Sequence, residues 1–191
     1  MTDDAPADAL NRDANILIVE DEEDLADMYA AYLKDDFTVS VTYGGEAAID
    51  AVDDTTDIVL LDRRMPVVTG NEVLAYIDEQ GFDCRVAMVT AVNPDFDIID
   101  LRIDDYLVKP VSHEDIRQTV ERMLKLEAYN ERMQKLTSKK LKRNVLELEK
   151  TRAQLSESNE FQQLNDDIDQ LEEEVDSITA ELDPEGLQRS R

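Results

Sequence analysis

Four stretches of this chain set polar, reactive side chains at the end of apolar runs. Glu20 and Asp21 follow NILIV, Asp62 follows IVLL, Thr90 ends RVAMVT and Lys109 follows DYLV. Clustered carboxylates repel one another and are held together at a cost unless a cation neutralises them. Hard carboxylate oxygens with room for water suit Mg²⁺, which takes one or two carboxylates and keeps several waters. A lysine at the same place supplies a compact positive charge for a phosphoryl oxygen, and a threonine hydroxyl supplies a donor. Brought together, these groups suit the stabilisation of a transferring phosphoryl group, with one aspartate as nucleophile. Taken singly, each has an ordinary explanation. An acidic pair after a strand caps a helix, Asp62 ends a turn, Thr90 is a strand-end hydroxyl and Lys109 is a solvated charge. The joint occurrence is what points to chemistry. His113, the only histidine, reads as a solvated residue in a helix's first turn, and Cys84 as a small loop or core residue.

The elements that must position these residues follow from hydrophobic periodicity. Short apolar runs at 15–21, 57–62, 85–91 and 105–110 read as buried strands, and 37–43 alternates toward a further strand broken by Gly44-Gly45. Between them, Leu25, Met28, Tyr29, Tyr32 and Leu33 recur at helical spacing over 22–35, 46–53 makes a short helix, and 71–80 makes another stopped by Gly81. Residues 95–101 form a short helix or turn. Strands alternating with helices predict an α/β fold, a doubly wound parallel sheet of five strands with helices on both faces. Ligands of such sheets sit at the carboxyl ends of the strands. Glu20, Asp21, Asp62, Thr90 and Lys109 all fall at those ends.

These stretches together resemble the receiver domain of two-component response regulators, a flavodoxin-like or CheY-like fold. The resemblance covers about 14–126 and is carried by VED (19–21), LLDRRMP (60–66), VTA (89–91) and DYLVKP (105–110) in order. It implies that Asp62 accepts a phosphoryl group from a sensor histidine kinase. It further implies that Mg²⁺ is held by Glu20, Asp21, Asp62 and the backbone carbonyl of Arg64, and that Thr90 and Lys109 hold phosphoryl oxygens. Tyr106 becomes the aromatic whose rotamer responds to Thr90, and Lys109-Pro110 a cis peptide. Pro66 and Gly70 shape the loop over Asp62, and the Arg64 side chain is expected to lie over the acyl-phosphate and slow its hydrolysis. The chain departs from the family between Thr90 and Lys109, where the fourth helix is shortened around Pro94 and a run of aspartates.

From 112 onward the character changes. Ser112 and Asp115 form a capping box that opens a long helix, with a stutter or turn expected near Thr137-Ser138. After SESN (156–159), Phe161, Leu164, Ile168, Leu171, Val175, Ile178 and Leu182 keep a strict heptad until Pro184 and Gly186. LTSKK and LEEEV within this region resemble the HalX module of receivers from salt-loving archaea. Residues 132–152 are rich in base (Arg132, Lys135, Lys139, Lys140, Lys142, Arg143, Lys150, Arg152), whereas 157–185 hold acids and no base. Opposite charges on consecutive helices favour an antiparallel hairpin with SESN as the turn; a coiled-coil homodimer through the same helices is the other arrangement. The domain organisation expected is a flexible leader at 1–14, a receiver at 15–126, a helical module at 127–183 and a flexible tail at 184–191.

Composition bounds the partners. With 46 acidic and 20 basic residues, a net charge of -26, the chain is unsuited to nonspecific contact with nucleic acid or an anionic membrane. The acid excess also fits adaptation to high salt, where counterions screen self-repulsion. A single cysteine permits no intramolecular disulfide, and no apolar stretch approaches a membrane span, so a cytoplasmic protein is expected. The function expected is a response regulator that signals through altered protein interactions and catalyses nothing beyond its own phosphoryl transfer and autodephosphorylation. The alternative is a DNA-binding transcriptional regulator acting through the basic helix 132–152, although no helix-turn-helix is evident. A phosphohydrolase with an aspartyl nucleophile is weaker still, because such enzymes of the haloacid dehalogenase type want a second aspartate where Arg64 stands.

Overall fold

The computed structural model describes residues 13–182. The chain divides into two compact units, with the boundary between Met123 and Leu124. The expected tail and residues 1–12 of the expected leader lie outside the described residues, whereas Ala14 is buried and its carbonyl accepts the N–H of Thr38.

In the first unit, β1 (Asn15–Val19), β2 (Thr38–Thr42), β3 (Ile58–Leu61), β4 (Arg85–Thr90) and β5 (Asp105–Val108) form one parallel sheet in the order β2-β1-β3-β4-β5. Every residue of β3 and all but the first of β1 and β4 are buried, because both faces of the sheet are covered. Leu17, Val19, Val59, Leu61, Val86 and Met88 share one face with Ala48 of α2 (Gly45–Ala51) and Val73, Leu74 and Ile77 of α3 (Gly70–Gln80). The alternate residues Ile16, Ile18, Ile58, Leu60, Ala87 and Val89 point to the other face. Buried residues available to it are Ala26, Tyr29 and Leu33 of α1 (Glu23–Leu33) and Ile116, Val120 and Met123, from the start of α4 (His113–Glu149). The strand order reverses between β1 and β3, which opens a crevice at their carboxyl ends.

Two caps set the loops that matter. Thr69 and Glu72 make a reciprocal capping box at the start of α3, and Gly81 ends it in the left-handed region with φ 74°. The expected box at Ser112 and Asp115 is present, with Asp115 Oδ2 accepting from the Ser112 amide and hydroxyl. His113 is exposed, as expected, but is not idle: its ring packs edge-on to Tyr32 and its Nε2 donates to the Tyr32 carbonyl at 3.2 Å.

The short element between β4 and β5 is a 3-10 helix, η1 (Phe96–Asp100), capped by Asp95. None of its residues is buried, so no apolar face rewards extending it into a regular helix.

In the second unit α4 pairs with α6 (Asn159–Glu181) as an antiparallel hairpin. Lys125–Glu181, Arg132–Glu174 and Lys139–Asp167 form a ladder in which each rung lies seven residues further along α4 (125, 132, 139) and seven back along α6 (181, 174, 167). Lys140–Glu172 adds a fourth pair. Leu136, Ile168 and Val175 are buried between the helices, with Tyr129, Met133, Leu164 and Leu171 around them. Half-exposed ion pairs contribute roughly 0.2–1 kcal/mol each, so the apolar seam carries the stability and the ladder fixes direction and register.

Two expectations are corrected. No stutter interrupts the helix at Thr137-Ser138: α4 runs through to Glu149, because Leu136 stays in the seam while Thr137 and Ser138 lie exposed, where they disturb nothing. The connection is also not a single turn at SESN. Thr151 caps a short α5 (Arg152–Glu157) in a box with Gln154, and Ser158 separates α5 from α6, accepting the Phe161 N–H. A second capping signal, Thr151 with Gln154 three later, thus starts the reversal before SESN is reached.

Candidate functional site

Glu20, Asp62 and Lys109 each stand one step beyond a strand, and Thr90 is the last residue of β4. Glu20 continues β1, and its amide still donates to Thr42 O at 3.1 Å. Asp62 continues β3 with its amide on Val19 O at 2.9 Å, and Lys109 continues β5 with its amide on Thr90 O at 2.9 Å. The backbone ladder therefore carries one residue past each strand and fixes where these side chains start.

The side chains converge. Lys109 Nζ donates to Glu20 Oε2 and to Asp62 Oδ2, each at 2.6 Å, so one ammonium bridges two carboxylates from different strands. Glu20 is 1% exposed and Asp62 7%. Burial pushes the Glu20 carboxyl above its ordinary range and Lys109 offsets only part of that. Burial would depress Lys109, but its bonds to Asp62 and Glu20 outweigh burial and hold the ammonium above its usual value. Asp62 Oδ1 accepts the Arg64 N–H at 3.1 Å, and Glu20 Oε1 that of Glu22 at 3.4 Å. Asp21 is exposed beside them, and carboxylate oxygens of Glu20, Asp21 and Asp62 all lie within 4.8 Å of one another. Three hard oxygen donors at this spacing, one open to solvent, are a donor set that fits Mg²⁺.

Thr90 is fully buried at the end of β4, and its Oγ1 accepts the Val92 N–H at 3.4 Å. The Tyr106 hydroxyl donates to the Val92 carbonyl at 2.9 Å. The Lys109-Pro110 peptide is cis, as the resemblance implied. The loop after Asp62 is tight: Val67 has φ 67°, unusual for a β-branched residue, and Val68 N donates back to Pro66 O at 2.8 Å. A Cβ on Gly70 would sit 2.2 Å from the Asp62 carbonyl oxygen, so only glycine lets α3 begin this close to Asp62.

The Arg64 side chain is exposed. Its neighbour Arg63, which the sequence reading passed over, does more: its guanidinium pairs with Asp97 of η1 and lies by the Tyr106 hydroxyl, which together hold it above its ordinary value. The signal available in sequence was a base beside Asp62 and a run of aspartates at 95–105 with no base nearby but Arg102.

Residues 16–121 match the response regulator receiver domain family, and residues 125–189 match the HalX domain. A putative transcriptional regulator of Haloferax volcanii is 56% identical over 110 residues, covering 57% of this chain and 19% of that protein. Transcriptional regulatory protein CutR of Streptomyces coelicolor is 38% identical over 106 residues, 53% of this chain and 49% of its own. The chain thus spans at most about half the length of these two relatives. Among solved structures, the signal receiver domain of a putative LuxO repressor from Vibrio parahaemolyticus superposes with a TM-score of 0.57 at 25% identity, over 62% of this chain and 95% of that one. Sheet order, crevice and sequence agree: the chain belongs to the response regulator receiver family, with a HalX domain following its receiver.

Proposed function

We propose that this protein is the phosphoacceptor of a two-component phosphorelay, taking a phosphoryl group on Asp62 from a sensor histidine kinase. The observation that carries the reading is the Lys109 ammonium bridging the buried Glu20 and Asp62 at 2.6 Å, with Asp21 beside them at the sheet's switch point. An Asp62 carboxylate oxygen attacks phosphorus as the bond to the donor's imidazole nitrogen breaks, and that nitrogen keeps the electron pair. Mg²⁺, held by Glu20, Asp21, Asp62 and the Arg64 carbonyl, would neutralise charge building on the equatorial oxygens. Lys109 binds one phosphoryl oxygen and the Thr90 hydroxyl donates to another, while Tyr106 follows Thr90. The carboxylate orientation is set beforehand by the Arg64 N–H on Asp62 Oδ1. Turnover is limited to phosphoryl transfer onto the protein's own Asp62 and its later hydrolysis, slowed by Arg64.

The receiver of this reading spans 15–126 and the output module 127–183, in a cytoplasmic, salt-adapted protein whose output is an altered set of protein contacts, homodimerisation through the C-terminal helices included. The basic helix is a poor DNA reader because Arg132, Lys139 and Lys140 pair with acids of α6. No helix among the described residues is long and apolar enough to cross a membrane. Incubation with acetyl phosphate and Mg²⁺ in molar salt should label the parent and leave Asp62→Ala unlabelled; equal labelling of both would discard Asp62 as acceptor.

A further inference from the structure

A continuous run of contacts leads from the site to a segment that has no part in it. Val92 N–H donates to Thr90 Oγ1 at 3.4 Å, the Tyr106 hydroxyl donates to Val92 O at 2.9 Å, and Tyr106 neighbours the Arg63 guanidinium. Arg63 Nη2 then donates to Asp97 Oδ2 on η1. The Arg63 side chain is 14% exposed and that of Asp97 52%, so a sheltered cation on the acceptor loop grips an open carboxylate on η1. Because η1 buries none of its residues, polar anchors of this kind fix its place.

We propose that Arg63 is a positioning residue whose pair with Asp97 latches η1 while Asp62 is free, and that a phosphoryl group on Asp62 releases the latch through Thr90, Val92 and Tyr106. The inference rests on the reading of Asp62 and Thr90 given above. The Thr90–Val92 bond is already at the long limit for a hydrogen bond, so a phosphoryl oxygen draws the Thr90 hydroxyl away at little cost. Val92 is then free to shift, and the Tyr106 hydroxyl that it anchors shifts with it. Arg63 loses the Tyr106 hydroxyl as a neighbour, and its ion pair is with a half-exposed, solvent-screened carboxylate. A contact made only in the free state opposes any ligand that selects the occupied state, and its loss raises that ligand's apparent affinity.

The test uses the full chain, Mg²⁺ and beryllofluoride, which mimics the acyl-phosphate, with binding followed by tyrosine fluorescence. Asp97→Asn should bind about two- to five-fold more tightly than the parent, the range expected for losing one half-exposed pair. Asp97→Glu, which keeps the charge, should bind as the parent does. Hydrogen exchange over 93–101 in ligand-free Asp97→Asn should match that of the ligand-bound parent. A merely structural pair would lower the melting temperature and leave the affinity alone. Parent-like or weaker binding by Asp97→Asn overturns the latch while Asp62 stands. A parent that does not bind, or an Asp62→Ala that binds equally, removes the reading of the site and the latch with it.

Discussion

Removing the Lys109 ammonium is the sharpest test of how the site is held together. In Lys109→Ala, Glu20 and Asp62 would remain nearly buried, with carboxylate oxygens within 4.8 Å and no cation between them. At that separation two like charges repel by roughly 3 kcal/mol at an effective dielectric of about 20. Two charge-assisted hydrogen bonds of 2.6 Å are lost as well, each worth about 1.5–3 kcal/mol. Against these stand the desolvation of Lys109 that no longer has to be overcome and the opening of the site to water on the Asp21 side. The net expected is about 2–4 kcal/mol of destabilisation at neutral pH, somewhat below the range for breaking a fully buried pair. For a chain of this length that is about 5–15 °C in melting temperature.

The assay is thermal unfolding by circular dichroism in molar KCl, with EDTA or with Mg²⁺. The divalent cation should stabilise Lys109→Ala more than the parent, because it supplies charge that the parent already has. Adding Asp62→Asn to Lys109→Ala should also restore stability without Mg²⁺, since it removes one of the two like charges. The pH dependence has a definite sign. Glu20 is raised by burial in the parent and rises further once Lys109 is gone. A carboxyl whose folded value lies above its unfolded one destabilises as pH climbs through the folded value, so the deficit should shrink on acidification. A variant that melts within about 2 °C of the parent in EDTA, or that gains no more from Mg²⁺, would mean that Lys109 does not hold Glu20 and Asp62 together.

Two further outcomes follow from the geometry. Gly70→Ala removes no reactive group but drives a Cβ to 2.2 Å from Asp62 O, so Asp62 is expected to shift by about an ångström; initial labelling by acetyl phosphate should fall on the order of 100-fold, and an unchanged rate would mean that the loop yields elsewhere. In the hairpin, Lys139 and Lys140 hold Asp167 and Glu172 below their ordinary values of 3.8 and 4.5. That stability is present above those values and lost as pH falls through the lower folded ones, so helicity in molar salt should decline there in the parent and less in Lys139→Gln/Lys140→Gln; parallel profiles would separate the pairs from the hairpin's stability.

The positions of the candidate site residues were legible because parallel strands buried on both faces read as unbroken apolar runs, and the residue after each run must sit at the sheet's edge. Asp62 could be placed from IVLL alone. What could not be read is which charges meet. That Lys109 bridges Glu20 and Asp62 depends on the order in which the strands assemble; that Arg63 turns to Asp97 depends on where a five-residue 3-10 helix settles. Neither contact has a period in the sequence. Thr137-Ser138 misled for the opposite reason: hydroxyl residues that suggest a break are harmless on an exposed helix face.

Charge was the more informative signal when read in pairs of segments. Taken alone, 132–152 is a basic helix and invites a polyanion. Its neighbour 157–185 carries acids and no base, and Arg132, Lys139 and Lys140 already face carboxylates of that segment, which weakens the attraction of the stretch for nucleic acid. The rungs at 125, 132 and 139 share the seven-residue spacing of the apolar seam they flank, so one periodicity sets both. A sequence that staggered charge and apolar repeats would have to choose between burying its leucines and pairing its lysines. Here the two agree, and that agreement selects the antiparallel hairpin within the chain.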